Sequence, residues 1–401
     1  MRVNIYPGKA VGTLEAPPSK SALHRLLIAA ALCRHQTTLL HGFYPSADVL
    51  ATVDCLRALG ADISILNGCC TVQGTAPQFA GGAVLPCRES GSTLRFLLPV
   101  CMCSDATYTL CGSERLLSRP LDVYEMLASQ QGLSLCRSPQ RNAVTVSGRL
   151  RTDGVCIPGN ISSQFVSGLL FRAAAAAERA TLQITAPFES RSYVAMTGQA
   201  LGAFGVHVTC TDSTVTIDGS LCSPGTVCAE GDWSGAAFFE ALNSMGGSVS
   251  LQGLRADSLQ PDRCFLQIVQ SPSLCADLCD CPDLAPMLFA LAAFRGAGHF
   301  TGTRRLRFKE SDRIAAMQQE LAKFGAVLMA DADTVTIRCA SLHSPTQVLC
   351  SHNDHRIVMA LAILCTATGG VIEGAEAVAK SMPDFFEKLR ALGVKVDETD
   401  S

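Results

Sequence analysis

One phrase recurs along the chain: a helix-like end, a glycine, an alternating apolar strand, a polar turn and a second strand. It begins at Leu59-Gly60-Ala61-Asp62-Ile63 and returns at Gly132-Leu133-Ser134-Leu135, Gly205-Val206-His207-Val208, Gly325-Ala326-Val327-Leu328 and Gly393-Val394-Lys395-Val396. Glycine after a helix supplies the left-handed conformation that closes it, and the alternation has the period of a strand. Partner strands follow at 71–74, 144–148, 215–219 and 335–337, whereas the final copy stops before its partner. The glycines lie 72, 73, 120 and 68 residues apart. That spacing exceeds the about 20–50 residues of solenoid repeats, so each copy reads as a small βαβαββ module. The 120-residue interval leaves room for a sixth, degraded copy between about 250 and 285, with 265–269 as its remnant strand. Six modules predict a mixed α/β (α+β) fold of two similar lobes. Residues 1–18 plus 230–401 would form one lobe and 19–229 the other, with ligands in the cleft between them.

Composition narrows the function. The net charge of −3 gives no global basic field for nucleic acid or a membrane surface, and aromatic residues, at 6%, are too few for base-stacking platforms. The apolar run 26–32 is far too short to span a bilayer, and no secretion signal precedes it. The 20 cysteines therefore read as reduced, mostly buried residues of a cytoplasmic protein rather than a disulfide framework. Cys275, Cys279 and Cys281 lack a second pair at zinc-finger distance, so no metal site is expected.

Helix starts carry the chemistry. Pro17-Pro18-Ser19-Lys20-Ser21, Ser90-Gly91-Ser92-Thr93-Leu94-Arg95, Asn160-Ile161-Ser162-Ser163-Gln164, Lys309-Glu310-Ser311-Asp312-Arg313 and Asn353-Asp354-His355-Arg356 each open an apolar or amphipathic segment. Helix N-termini present unpaired N–H groups and partial positive charge, and hydroxyls there can cap the helix or donate to an anion. Any one of Ser19, Ser90, Asn160 or Asn353 reads as an ordinary cap. The set, followed closely by Lys20, Arg25, Arg95, Arg313 and Arg356, reads as a site for a ligand bearing several phosphates or carboxylates. No P-loop and no dinucleotide glycine motif after a strand is present.

In order along the chain, Pro17-Pro18-Ser19-Lys20-Ser21 with Arg25, Ser162-Ser163-Gln164, Arg307-Phe308-Lys309-Glu310-Ser311-Asp312-Arg313, Asp354-His355-Arg356 and Lys380-Ser381-Met382-Pro383-Asp384-Phe385-Phe386 resemble the 5-enolpyruvylshikimate-3-phosphate synthase family. The resemblance spans essentially the whole chain. It implies two lobes of three βαβαββ units, an inside-out α/β barrel in each. It also implies transfer of the enolpyruvyl group of phosphoenolpyruvate to the 5-hydroxyl of shikimate 3-phosphate, with release of phosphate and no metal or organic cofactor. A cytoplasmic monomer without nucleic-acid or membrane partners is expected.

Carried over by position, the resemblance makes Ser21, Arg25, Ser162, Ser163, Ser190 and Tyr193 the shikimate 3-phosphate ligands, with Gln164 touching both substrates. Arg95, Arg119, Arg313, Arg356 and Lys380 correspond to the phosphoenolpyruvate clamp, flanked by Gly91 and Lys309. Lys20 reaches the reacting centre, and Asp283, Glu310 and His355 correspond to acid–base and orienting groups. The chemistry needs such a set. The 5-hydroxyl loses a proton as it adds to C2 while C3 gains one. Elimination from the tetrahedral intermediate then takes a proton from C3 and gives one to the leaving phosphate, so acid and base exchange roles. Arginine forks suit the carboxylate and phosphate of the donor. His24 and His41 carry no such correspondence and read as structural.

Two features depart from the family pattern or qualify it. Glu89 replaces a neutral residue before the Gly91 turn, which is tolerable if it faces away or pairs with Arg88. Gly91 matches the glyphosate-sensitive type, so a bulkier residue there would crowd the inhibitor. The related UDP-N-acetylglucosamine enolpyruvyl transferases use a Lys-Asn pair and a catalytic Cys loop. This chain has Lys20-Ser21, and only Cys111-Gly112 with Arg115 resembles that loop. A repeat-built RNA-terminus binder would account for basic helix starts but not for the ordered charged motifs.

Overall fold

The computed structural model describes residues 1–75 and 82–399. Two compact units emerge: Lys20–Glu230, and Met1–Ser19 together with Gly231–Ser401. Each is a set of short sheets coating a core of helices. The helices Gly91–Cys101, Ser163–Ala175, Ala285–Arg295 and His355–Thr368 are apolar on nearly every face and are buried almost throughout. Such helices cannot sit on a surface. The strands alternate buried and exposed residues, as in Val84–Arg88 and Ala297–Thr301, so the sheets face water on one side and the helices on the other.

The unit Lys20–Glu230 contains three complete modules. In the second, Val84–Arg88 and Tyr108–Gly112 pair in parallel, and the hairpin of Ser134–Ser138 and Ala143–Ser147 adds antiparallel to Tyr108–Gly112. The third repeats this pattern with Cys156–Pro158, Ala180–Thr185, His207–Cys210 and Thr214–Asp218. The first is closed from a distance: its parallel outer strand is Thr226–Cys228, which pairs with Thr37–His41. All five repeat glycines have positive φ, from +67° at Gly132 to +101° at Gly60, so the helix-closing role read from the sequence holds.

The other unit contains two complete modules and one reduced module. Cys275–Asp277, Ala297–Thr301, Ala326–Ala330 and Thr334–Cys339 form one four-stranded sheet. The final copy does find its partner: Arg2–Ile5 lies antiparallel between Gly370–Glu373 and Val396–Thr399. The sixth copy differs from the sequence reading. Phe265–Gln270 is a helix, not a remnant strand. The strands of this module are Val11–Glu15 and Ser248–Gln252, paired in parallel around the helix Trp233–Ser244, and no hairpin follows. The entire Lys20–Glu230 unit is thus inserted between the first strand and first helix of the reduced module.

The charged motifs lie at helix starts: at Lys20, Gly91, Ser163, Arg313 and His355.

Candidate active site

In the unit Lys20–Glu230, four helix starts are held together by side chains from the motifs. Arg25, buried in the helix Lys20–Leu32, donates from Nε to Thr197 Oγ1 at 2.8 Å and from Nη2 to the Tyr193 carbonyl at 3.0 Å. It also spans back to the Ser21 carbonyl at 2.7 Å and stacks over Phe96 at 5.1 Å. Burial lowers its guanidinium to about 10, so it stays charged at neutral pH. Ser190 precedes the helix Arg191–Ala203 with φ +54°, and Tyr193 lies in that helix's first turn. Holding a serine in this conformation costs about 1–3 kcal/mol, and the segment nonetheless keeps it.

Arg95 joins two further helix starts. Its Nη1 donates to Gln164 Oε1 at 2.7 Å, and Gln164 Nε2 donates to Ser92 Oγ at 3.1 Å. Ser162 caps the helix that begins at Ser163, and Ser90 caps the one that begins at Gly91. The capping atoms are therefore Ser162 rather than Asn160 and, in the other unit, Asp354 rather than Asn353. Arg119 reaches this turn as well: a Cβ on Gly91 would lie 2.8 Å from Arg119 Nη1 and 3.7 Å from Arg95 Nη1. Lys20 Nζ pairs with Asp48 Oδ2 at 2.8 Å, a partner the sequence did not suggest. Arg88 pairs with Asp54, and Glu89 is half-buried beside it.

In the other unit the charged motifs converge on Asp283. It sits in the turn Pro282–Leu284 that leads into Ala285–Arg295, within a complete module, so the reduced sixth module does not disturb it. Its Oδ1 lies 2.9 Å from Arg313 Nη1 and 3.3 Å from Lys309 Nζ, and its Oδ2 lies 3.0 Å from Arg356 Nη2. It is thus an ion-pair centre rather than a helix cap. Arg313, almost fully buried, also holds Glu310 Oε2 at 2.8 Å and Asp354 Oδ2 at 2.9 Å. Burial opposes ionisation of Asp283, but Arg356, Lys309 and Arg313 outweigh it and hold the carboxyl well below the usual range. Burial draws the Lys309 ammonium down from its ordinary value against the pull of Asp283. His355 is buried with Nδ1 3.9 Å from Asp354 Oδ1. Lys380 donates to the Asn353 carbonyl at 2.5 Å and so joins the same turn.

A family model for EPSP synthase (3-phosphoshikimate 1-carboxyvinyltransferase) matches residues 6–275 and 271–389. The chain belongs to the EPSP synthase family. The 3-phosphoshikimate 1-carboxyvinyltransferase of Clostridium kluyveri is 35% identical to it, over 99% of this chain and 98% of the relative. The EPSP synthase of Acinetobacter baumannii superposes with a TM-score of 0.78 at 22% identity, covering 99% of this chain and all of the other. The enolpyruvyl transferase NikO of Streptomyces tendae gives 0.76 at 16% identity, over 100% and 99%. Those two likenesses speak to fold alone. Family membership makes this chain a transferase of enolpyruvyl groups, and the two-lobed architecture of small α/β modules is that of EPSP synthases.

One acidic group near Asp283 was missed by the sequence reading. Asp262 is buried, accepts from the Ser234 hydroxyl through Oδ2, and has no partner at Oδ1 among the described residues. Burial, then the charge of Asp283, pushes its carboxyl well above the usual range. Its only sequence signal is its position after Gln260-Pro261, which resembles an ordinary turn. The unfolded chain ionises this group near about pH 4, while the folded chain keeps the proton at higher pH. Stability at this position is therefore full below about pH 4 and declines as pH rises toward the folded value. Asp262→Asn is free of that decline. Its melting temperature relative to the parent should rise between about pH 4 and pH 8; a constant difference would show that Asp262 ionises normally.

Proposed function

We propose that this chain transfers the enolpyruvyl group of phosphoenolpyruvate to the 5-hydroxyl of shikimate 3-phosphate, by addition and elimination through a tetrahedral intermediate. The observation that carries the reading is Asp283, a carboxylate kept ionised by Arg313, Arg356 and Lys309 in a chain related to EPSP synthases along its whole length.

The roles follow from the chemistry of each set. Ser21, Arg25, Ser162, Ser163, Ser190 and Tyr193 offer hydroxyls and a guanidinium to shikimate 3-phosphate, and Gln164 contacts both substrates. Arg95, Arg119, Arg313, Arg356, Lys309 and Lys380 bind the carboxylate and phosphate of phosphoenolpyruvate, with Gly91 leaving room beside Arg119. An ionised Asp283 accepts the proton of the 5-hydroxyl as its oxygen bonds to C2. Glu310 or Lys20 delivers a proton to C3. The tetrahedral adduct then expels phosphate, which takes up the proton held by Asp283, while the C3 proton returns to the group that delivered it and the double bond re-forms. His355 orients the Asp354–Arg313 pair. The protein acts as a monomer, and the 20 free cysteines fit a reducing, cytoplasmic compartment.

Phosphate release from phosphoenolpyruvate, with shikimate 3-phosphate and UDP-N-acetylglucosamine as parallel acceptors, tests the assignment. Release with shikimate 3-phosphate alone is expected. Release only with the nucleotide sugar, or with neither, would overturn it.

Gly91→Ala gives a narrower test. The added methyl shifts only the far end of the buried Arg119 side chain, so stability should change by no more than about 1 kcal/mol. Glyphosate inhibition should weaken at least about tenfold, and the phosphoenolpyruvate KM should rise, because a shift of the guanidinium loses one charge-assisted contact. Unchanged inhibition would show that the inhibitor does not bind against Gly91.

A further inference from the structure

The helices Lys20–Leu32 and Ala47–Ala58 are joined by two polar rungs. Lys20 Nζ meets Asp48 Oδ2 at 2.8 Å, and His24 Nδ1 meets Thr52 Oγ1 at 2.7 Å. Both pairs advance by four residues, one helical turn, so the helices run side by side in the same direction. The second rung does not end there. Thr52 Oγ1 lies 2.6 Å from Thr93 Oγ1, and Thr93 Oγ1 donates to Ser90 Oγ at 2.7 Å. His24, Thr52, Thr93 and Ser90 are all buried.

The direction of this chain follows from its last link. The single hydroxyl proton of Thr93 goes to Ser90, so Thr93 must accept from Thr52. Thr52 has then spent its proton and must accept from His24 Nδ1–H. The imidazole is left with a bare Nε2, and that atom is buried with no hydrogen-bond partner among the described residues. A second ring proton would need an acceptor there, and burial with the charges of Lys20 and Arg25 holds the ring well below its ordinary pKa. His24 is therefore a neutral donor with one fixed tautomer. The sequence reading treated it as structural and gave Thr52 no role.

We propose that His24, acting through Thr52 and Thr93, is a positioning residue that fixes the Ser90–Gly91 turn against the helix carrying Lys20. The inference rests on the functional reading above, in which Gly91, Arg95 and Arg119 receive phosphoenolpyruvate. The relay ends at Ser90, which caps the helix bearing Gly91 and Arg95. The Arg25 links to Tyr193 and Thr197 do not pass through it. Its loss should therefore affect one substrate more than the other.

Thr52→Val keeps the shape and removes the hydroxyl. The expected result is a phosphoenolpyruvate KM raised about tenfold, the size of one lost buried hydrogen bond, with the shikimate 3-phosphate KM within about twofold. Thr52→Ser should restore both. Nitrogen NMR of labelled His24 should show the Nδ1–H tautomer in the parent and in Thr52→Ser, and its loss in Thr52→Val. An active parent whose Thr52→Val variant keeps both KM values, or shifts both equally with no rescue by serine, would overturn this inference alone. A parent inactive with either acceptor would overturn the functional reading and this inference together.

Discussion

Asp283→Asn is expected to bind both substrates and to lose about 10³-fold in kcat, within the range of a removed general acid or base. The amide keeps the shape of the carboxylate but cannot accept the hydroxyl proton. It also releases Arg356 Nη2, Lys309 Nζ and Arg313 Nη1 from their shared anion. Those cations become more available to phosphoenolpyruvate, so its KM should stay level or fall while kcat collapses. That pattern marks an interaction made in the transition state rather than in binding. Steady-state kinetics with phosphate detection decides the matter. A kcat within about tenfold of the parent would move the proton-accepting role to Glu310 or Lys20.

Arg313→Met carries the second large effect, on stability. Arg313 is almost fully buried and neutralises Asp283, Glu310 and Asp354. Removing it strands carboxylates that burial already penalises: burial opposes the charge of Asp354, and Arg313 is the foremost group holding that carboxyl below its usual range. Breaking a buried pair from one side costs about 3–5 kcal/mol. Urea denaturation should show the protein destabilised by that amount. Asp354→Asn added to Arg313→Met should recover part of the loss, because the two sites are coupled. Purely additive losses would mean that the pair contributes nothing as a pair.

Much of this architecture was legible in the residues themselves. The five repeat glycines mark helix ends in the left-handed conformation, and a strand follows each of them, from Asp62–Leu66 to Val396–Thr399. Local chemistry suffices there, because a glycine after a helix and a period of two are decided within a few residues. The same holds for the motifs at the helix starts. Lys309 to Arg313 and Asp354 to Arg356 name their own chemistry, and their residues meet at Asp283.

The errors lie where local pattern is indecisive or the partner strand is distant. The strand read at 265–269 is the helix Phe265–Gln270, since a short apolar run has no decisive period. The true strands of that module, Val11–Glu15 and Ser248–Gln252, lie on either side of an inserted unit. The partner missing from the last copy is Arg2–Ile5, at the opposite end of the chain.

By itself the sequence determined the repeat, the helix ends and the charged groups that open the helices. Only the tertiary structure decided which distant strands complete which sheet, that Asp262 is buried beside Asp283, and that His24 is wired to the Ser90–Gly91 turn. Propensity and capping act over a few neighbouring residues. Strand pairing across hundreds of residues, and the burial that fixes a proton on a carboxyl or an imidazole, exist only once the chain has closed on itself.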